Sequence, residues 1–144
     1  MDDKNPGSCS GWTPVHEAAS SGHVDICRLI CEKIGSKQVE KGSGLNPGNY
    51  RGNTPLHFAA RLGHVEVCEF LCLNLEDKNP KNGEGVTPLH FASKDGQLDV
   101  CKLLCSNLKE KNPKDDDKKT PMDLAYVNKQ WKIVRFLIDE NNLA

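Results

Sequence analysis

The sequence predicts an all-α solenoid of stacked helix-turn-helix units joined by short hairpin loops. This prediction rests on one tetrapeptide that recurs, with small changes, at four places in the 144-residue chain. Its copies are Thr13-Pro14-Val15-His16, Thr54-Pro55-Leu56-His57, Thr87-Pro88-Leu89-His90 and Thr120-Pro121-Met122-Asp123. The last three copies begin 33 residues apart, and the first interval is 41 residues. A near-constant period of this length is the signature of a repeat architecture.

Composition excludes several other classes of protein. With 19 basic and 20 acidic residues the formal net charge is −1, so the chain lacks the excess of positive charge typical of nucleic-acid binding. It contains no run of 18 apolar residues, and we predict no membrane-spanning helix. No apolar signal segment opens the chain, and no Asn-x-Ser/Thr acceptor is present. We therefore expect an intracellular protein, located in the cytoplasm.

Each unit is predicted to consist of a first helix, a turn and a second helix. A threonine followed by proline suits an N-cap with proline at the first helical position. In the second unit the first helix is expected from Pro55 to Leu62, stopping at Gly63, because glycine commonly ends helices. The second helix is expected from Val65 to Asn74, with an apolar face at helical spacing. This face consists of Val65, Val67, Cys68, Leu71 and Cys72.

Further signals recur in phase with the tetrapeptide. An Asn-Pro pair lies seven to eight residues before each threonine, in a stretch that predicts a turn or hairpin. Nine residues after each threonine begin the pairs Gly22-His23, Gly63-His64, Gly96-Gln97 and Lys129-Gln130. This pattern resembles the ankyrin-repeat family over about residues 2–141. The resemblance implies a single ankyrin-repeat domain, 1–144, with repeats at about 8–40, 49–81, 82–114 and 115–144.

Two departures from the regular pattern stand out. Eight extra residues lie between the first and second units, within the segment 35–44. We interpret this insertion as a loop, either a binding element peculiar to this chain or a tolerated insertion. Residues 2–6 resemble residues 76–80, so the chain is expected to be a segment of a longer ankyrin array. The fourth unit has Asp123 and Lys129 where the others have His and Gly, as expected of a terminal unit.

Six of the seven cysteines form pairs spaced four residues apart, namely Cys27/Cys31, Cys68/Cys72 and Cys101/Cys105. One interpretation is a zinc or redox site, because such residues share a helix face and thiolates bind zinc. The other is core filling, since a buried free cysteine behaves as a small apolar residue. The fourth unit has Val134 and Ile138 at these positions, which favours core filling by reduced thiols. Cys9 stands apart, in the first predicted hairpin.

The histidines recur at the same positions of successive units and are therefore predicted to have a structural role in each unit. By its resemblance to ankyrin repeats, the tetrapeptide implies hydrogen bonds within and between repeats, made by Thr13 and His16, Thr54 and His57, and Thr87 and His90. The chain contains no Gly-rich phosphate loop, no Gly-x-Ser-x-Gly and no His-Glu-x-x-His motif. We therefore predict no catalytic, cofactor or metal site and no enzymatic activity.

Other features are interpreted from their phase in the repeat. Trp131 takes the position of smaller apolar residues in the other units and is predicted to lie in the core. Trp12 and Tyr50 fall in hairpins, where an aromatic ring has less reason to be buried. The acidic triplet 115–117 is interpreted as a solvated loop tip or, alternatively, as a contact for a basic partner.

The resemblance implies a non-catalytic, monomeric module that recruits or scaffolds a partner protein or peptide. The alternative is a free-standing ankyrin-type inhibitor that occludes a partner enzyme. In the family the usual contact surface is concave, formed by the hairpin tips and the exposed face of the first helices. The matching positions taken as contact residues are Trp12, Glu17, Tyr50, Arg51, Phe58, Arg61, Leu62, Glu84, Phe91, Lys94, Asp95, Asp116 and Asp117. Further matching positions on the same surface are Cys9, Ser10, Ser20, Ser21, Asn53, Val86 and Lys119.

Within this surface the second and third units offer aromatic and arginine side chains together, the types enriched at binding hot spots. The predicted anchors are Tyr50, Arg51, Phe58 and Arg61, with Phe91 and Trp12 beside them. The alternative for Phe58 and Phe91 is that their rings only pack adjacent units together.

Overall fold

A computed structural model describes residues 11–35 and 47–142, and these residues form eight α-helices linked by turns and loops. The helices are α1 Pro14–Ser20, α2 Val24–Gly35, α3 Pro55–Leu62, α4 Val65–Asn74, α5 Pro88–Lys94, α6 Leu98–Asn107, α7 Pro121–Val127 and α8 Trp131–Glu140. Consecutive pairs, beginning with α1 and α2, are units 1 to 4. The first helices of successive units contact one another, as do the second helices, and the two helices of each unit also pack together. The predicted all-α solenoid is confirmed.

Every first helix begins at the same kind of cap. The Thr54 backbone is extended, its side-chain oxygen accepts the N–H of His57, and the His57 side chain accepts the N–H of Thr54. Pro55 lies in the first turn, where its missing N–H has no intrahelical acceptor to lose. The same reciprocal cap begins the other first helices, at Thr13, Thr87 and Thr120. A threonine cap of this kind stabilises its helix by about 1 kcal/mol.

The turn after each first helix needs one residue with a left-handed backbone. Gly63 adopts it with a φ of 78°, and its N–H bonds the carbonyls of the last turn of α3. Gly22 and Gly96 have φ values of 76° and 81°. In unit 4 this position is occupied by Lys129, with a φ of 60°. The left-handed conformation is about 1 to 2 kcal/mol less favourable for a residue that has a Cβ than for glycine.

Replacing Lys129 with glycine is therefore expected to raise the free energy of unfolding by up to about 1 kcal/mol, because glycine adopts this backbone without the Cβ penalty. Arg135→Gly is the matched control. Arg135 lies exposed in the middle of α8, where a change to glycine should lower the free energy of unfolding by about 1 kcal/mol. Urea unfolding followed by circular dichroism measures both changes. Equal losses in the two variants would contradict the assignment of strain to Lys129.

The core takes residues from both rows of helices and includes most of the paired cysteines. The predicted apolar face of α4 is confirmed, because all its members are buried except Val65, which is half-buried. The cysteines Cys27, Cys68, Cys72, Cys101 and Cys105 are buried, and Cys31 is half-buried against the core. Burial raises the pKa of Cys72 and of Cys101 to about 11 and that of Cys105 to about 12. These thiols stay protonated at neutral pH and fill space as apolar groups.

Cys68→Val is expected to change the free energy of unfolding by less than about 1.5 kcal/mol, since both side chains are apolar and of similar volume. Cys68→Ser is the control. It should cost more, about 2 kcal/mol, because it places a hydroxyl in a position with no exposed surface. Urea unfolding ranks the two variants. A larger loss for valine than for serine, or stoichiometric zinc in purified protein, would contradict the core-filling interpretation.

The prediction of a core tryptophan at position 131 is wrong. Trp131 is 56% exposed, and its ring meets that of Tyr126 edge-on at 5.4 Å between centroids. The matching residues of the other units are only half-buried, namely Val24, Val65 and Leu98. The position therefore lies at the edge of the core, which covers part of a small side chain but not an indole. Alignment with apolar residues gives the phase of a helix and not the depth of burial.

The insertion expected near 35–44 lies outside the described residues apart from Gly35, and Cys9 lies outside them too. Gly35 ends α2, which has 12 residues, whereas α4, α6 and α8 have 10 each. The extra residues lengthen α2 by about half a turn just before the insertion begins.

Candidate functional site

The tetrapeptide histidines join each unit to the next. His57 Nδ1 lies 3.0 Å from the Thr54 backbone nitrogen, and its Nε2 lies 2.8 Å from the Val86 carbonyl oxygen in unit 3. Because Nδ1 accepts the Thr54 N–H, the ring proton is on Nε2, which donates to Val86. The equivalent bonds between units run from His16 to Asn53 and from His90 to Lys119, both at 2.9 Å. The hydrogen-bonding role that the family resemblance implies is confirmed.

The fourth unit keeps only half of this arrangement. Asp123 Oδ2 accepts the Thr120 N–H at 2.9 Å and completes the helix cap. A carboxylate has no N–H to donate to a further unit. His16, His57 and His90 therefore have a structural role, because they hold the hairpins of units 2 to 4 against the first helix of the preceding unit.

Each hairpin is closed by one polar side chain at its base. Asn82 Oδ1 accepts the backbone N–H groups of Glu84 and Val86 at 2.8 and 2.9 Å. Asn49 and Asp115 accept the corresponding pairs of N–H groups in units 2 and 4. The three hairpins therefore share one backbone shape, and residues at equivalent positions of this shape can be compared directly.

Asp115 corrects the prediction that the whole acidic triplet is a solvated loop tip. Asp115 is only 9% exposed because its carboxylate closes the hairpin, whereas Asp116 and Asp117 are exposed as predicted. The sequence did contain a signal for this role. Asn49, Asn82 and Asp115 each stand five residues before a tetrapeptide threonine.

The hairpins are also tied to one another along the stack. The Gly83 N–H donates to the Arg51 carbonyl oxygen at 2.8 Å, and the Asp116 N–H donates to the Glu84 carbonyl oxygen at 3.0 Å. A bond between the side chains of two asparagines, at 2.8 Å, joins the hairpins of units 2 and 3 as well. The tips of units 2 to 4 therefore form one continuous row.

The ends of the first helices are fixed in a similar way. The Arg61 carbonyl oxygen at the end of α3 accepts the Gln97 side-chain N–H at 3.1 Å. The matching bonds join Gln130 to the Lys94 carbonyl at 3.3 Å and His64 to the Ser20 carbonyl at 2.9 Å. The backbone that carries Arg61 and Lys94 is therefore held in place, while both side chains remain exposed.

Most of the predicted contact residues are exposed on the hairpins and first helices. The exposed ones are Glu17, Tyr50, Arg51, Arg61, Leu62, Glu84, Lys94, Asp95, Asp116 and Asp117. Tyr50 is 79% exposed, as expected for a ring at a hairpin tip. The three half-buried members are Trp12, Phe58 and Phe91.

Both phenylalanines pack against the histidine of the preceding unit. The Phe91 ring meets the His57 ring edge-on at 5.4 Å between centroids, and Phe58 meets His16 at 5.9 Å. The packing role that the sequence left open for these residues is therefore present. Because each ring is only half-buried, part of it still belongs to the surface.

Trp12 is more enclosed than a hairpin position predicts. Its ring stacks on His16 at 5.2 Å between centroids and meets Phe58 at 4.8 Å. Its indole N–H also donates to Glu17 Oε2 at 3.0 Å. The sequence assigns Trp12 to a hairpin but does not show that the ring folds back over the first helices.

A depression of about 250 Å³ lies between units 2 and 3. Its lining includes six of the predicted contact residues, Arg51, Arg61, Glu84, Phe91, Lys94 and Asp95. Asn53 and Val86, which the sequence also assigns to the contact surface, line it too. Only Asn82 was not predicted, although it stands five residues before Thr87 and its phase in the repeat could have placed it in the hairpin.

Comparison with known protein families agrees with this architecture. The family model for ankyrin repeats, which covers 3 copies, matches residues 1–82 and again residues 71–143. The chain has no significant match among curated proteins. Ankyrin repeats are in general protein–protein interaction modules and are typically not catalytic. Because the two matches together cover almost the entire chain, the chain belongs to the ankyrin-repeat family.

Proposed function

We propose that this chain is a non-catalytic module, one ankyrin-repeat domain over residues 1–144, that recruits or scaffolds a partner protein or peptide. The contact surface is the concave one, formed by the hairpin tips and the exposed face of the first helices. One observation carries the proposal: the surface differs from unit to unit although the bonds beneath it are the same. At one hairpin position, three residues before the capping threonine, units 2 to 4 have Arg51, Glu84 and Asp117.

A surface of this kind suits recognition of a partner. The hydrogen bonds between hairpins hold the backbone in place, so little conformational entropy is lost on binding. Its exposed side chains include Tyr50, Arg51 and Arg61, which belong to the residue types that dominate binding hot spots. An exposed ring such as that of Tyr50 contributes little to folding and remains available to a partner.

The proposal includes no cofactor, no metal and no nucleic acid, and it assigns the monomeric chain to an intracellular, reducing compartment. The net charge of −1 supports the absence of a nucleic-acid partner. The buried thiols, whose pKa is raised, are poor nucleophiles and support a structural role for the cysteines. Within residues 11–35 and 47–142 no helix is long and apolar enough to cross a membrane.

Alanine at Tyr50 or at Arg61 is expected to weaken partner binding by about 2 kcal/mol or more, the loss typical of a hot-spot residue. Both side chains are exposed, and the exposed ion pair of Arg61 with Asp95 contributes at most about 1 kcal/mol, so both variants should remain folded. The matched controls are Glu69→Ala and Lys102→Ala, which change exposed residues on the second helices α4 and α6. Titration calorimetry with the partner measures the effect, and circular dichroism verifies the fold.

Phe58 and Phe91 are unsuitable for this test, because truncating either ring also removes packing between units. The proposal would be contradicted if the Tyr50 and Arg61 variants bound the partner normally while a control variant lost binding. In that case the partner would sit on the second helices.

A further inference from the structure

The depression between units 2 and 3 combines exposed cations with a half-buried aromatic ring. Its three cationic side chains are Arg51 on the hairpin of unit 2, Arg61 near the end of α3 and Lys94 at the end of α5. Phe91 lines the same depression, and its edge-on packing against unit 2 fixes the ring. A ligand entering the depression would therefore meet positive charge around an apolar surface.

Two carboxylates also line the depression, and one of them is already paired. Asp95 Oδ2 lies 3.3 Å from Arg61 Nε, so this ion pair bridges units 2 and 3. Nε is only one of the donor groups of a guanidinium, and Arg61 remains 55% exposed, so its Nη groups can still bind an acceptor. Beside this pair, Arg51 and Lys94 face a single carboxylate, that of Glu84, which leaves one positive charge unbalanced.

Among the four first helices, only those of units 2 and 3 carry a Lys or Arg side chain. At the position of Arg61 and Lys94, units 1 and 4 have the uncharged residues Ser20 and Val127. The hairpin of unit 4 carries charges of both signs, since the exposed acidic residues 116–117 are followed by the exposed Lys118 and Lys119. The depression between units 2 and 3 therefore brings three cations together, although the chain as a whole has a net charge of −1.

We infer that this depression binds the side-chain carboxylate of an Asp or Glu in an acidic peptide segment of the partner. The inference rests on the proposed protein-binding function and adds the chemistry of the partner to it. Arg51 and Arg61 supply planar donor pairs that match a carboxylate, and Lys94 adds a third positive charge. An apolar side chain next to the acidic residue packs on the exposed part of Phe91.

A random dodecapeptide library displayed on phage tests this inference, with selection on the wild-type protein and on Arg51→Glu/Lys94→Glu. The wild type is expected to select peptides enriched in Asp and Glu, and the double variant peptides enriched in Lys and Arg. A synthetic peptide selected on the wild type should bind the double variant at least about tenfold more weakly, because like charges then face each other. Replacing its acidic residues with lysine should restore binding to the double variant. Circular dichroism verifies that the variant is folded.

Glu69→Lys/Lys102→Glu, on the second helices, is the control and should select the same acidic peptides as the wild type. Peptides without acidic enrichment, or peptides that bind the Arg51→Glu/Lys94→Glu variant as well as the wild type, would overturn the inference. If such peptides lose binding to Tyr50→Ala, the concave surface still binds peptides and only the acidic specificity is wrong. If they respond only to the control variant, the proposed function fails as well.

Discussion

Replacing His57 with alanine is expected to lower the free energy of unfolding by about 3 to 4 kcal/mol. His57 is fully buried at the junction of units 2 and 3. Its loss leaves the Thr54 N–H and the Val86 carbonyl without their partner and opens a cavity beside Phe91. Urea unfolding followed by circular dichroism measures the change.

Two further variants separate the contributions. His23→Ala removes an exposed histidine and should change the free energy of unfolding by less than about 0.5 kcal/mol. His57→Asn keeps an oxygen that can accept the Thr54 N–H, as Asp123 does in unit 4, but is too short to reach Val86. The free energy of unfolding of His57→Asn should therefore fall by more than that of His23→Ala and by less than that of His57→Ala. If His57→Ala cost no more than His23→Ala, the histidine bond between units would contribute little to stability.

The protein is also expected to lose stability as the pH falls from 7 toward 4. Burial lowers the pKa of His57 from 6.5 to about 4, and the hydrogen bond to Val86 offsets only part of this effect. Between these two values the unfolded chain binds a proton that native His57 does not, so acid favours unfolding. The His57 contribution is complete above about pH 7 and is lost as the pH falls through 6.5 to 4. The loss amounts to about 3 kcal/mol, of which about 2 kcal/mol falls between pH 7 and 5.

Burial also lowers the pKa of His16 and of His90, so these residues add to the loss in the same direction. His57→Asn is the test variant, because it removes the titrating group. Between pH 7 and 5 its free energy of unfolding should fall by about 2 kcal/mol less than that of the wild type. Most carboxylates titrate below this range, so urea unfolding at several pH values between 7 and 5 measures mainly the contribution of the histidines to the free energy of unfolding. Equal pH dependence of the two proteins would contradict a buried, neutral His57.

The helices of the inner units could be predicted closely because their signals are local. The sequence predicts helices over Pro55 to Leu62 and Val65 to Asn74, and the structure has both with these bounds. The N-cap at Thr54 and the left-handed turn at Gly63 depend on the chemistry of a few neighbouring residues. A repeat shows such signals several times in one phase, so each copy supports the others.

Burial and contacts between units could not be predicted in the same way. The exposure of Trp131 and the enclosure of Trp12 depend on which groups lie against each ring in space. The ion pair of Arg61 with Asp95 joins two units, and the sequence placed both residues on one surface without pairing them. The depression between units 2 and 3 exists only because the units stack at one fixed spacing. The phase of the repeat therefore predicted which side chains are exposed, and the structure shows which of them lie together around the depression.

The central claim is that the concave surface binds a partner protein. An affinity pulldown from an extract of the source cells, analysed by mass spectrometry, tests it with three baits: the wild type, Tyr50→Ala/Arg51→Ala and Glu69→Ala/Lys102→Ala. Tyr50 and Arg51 lie exposed on a hairpin, and Glu69 and Lys102 lie exposed on the second helices. We predict that proteins retained by the wild type and by the second-helix variant are lost from the hairpin variant. Proteins retained by the hairpin variant and lost from the second-helix variant would contradict the claim.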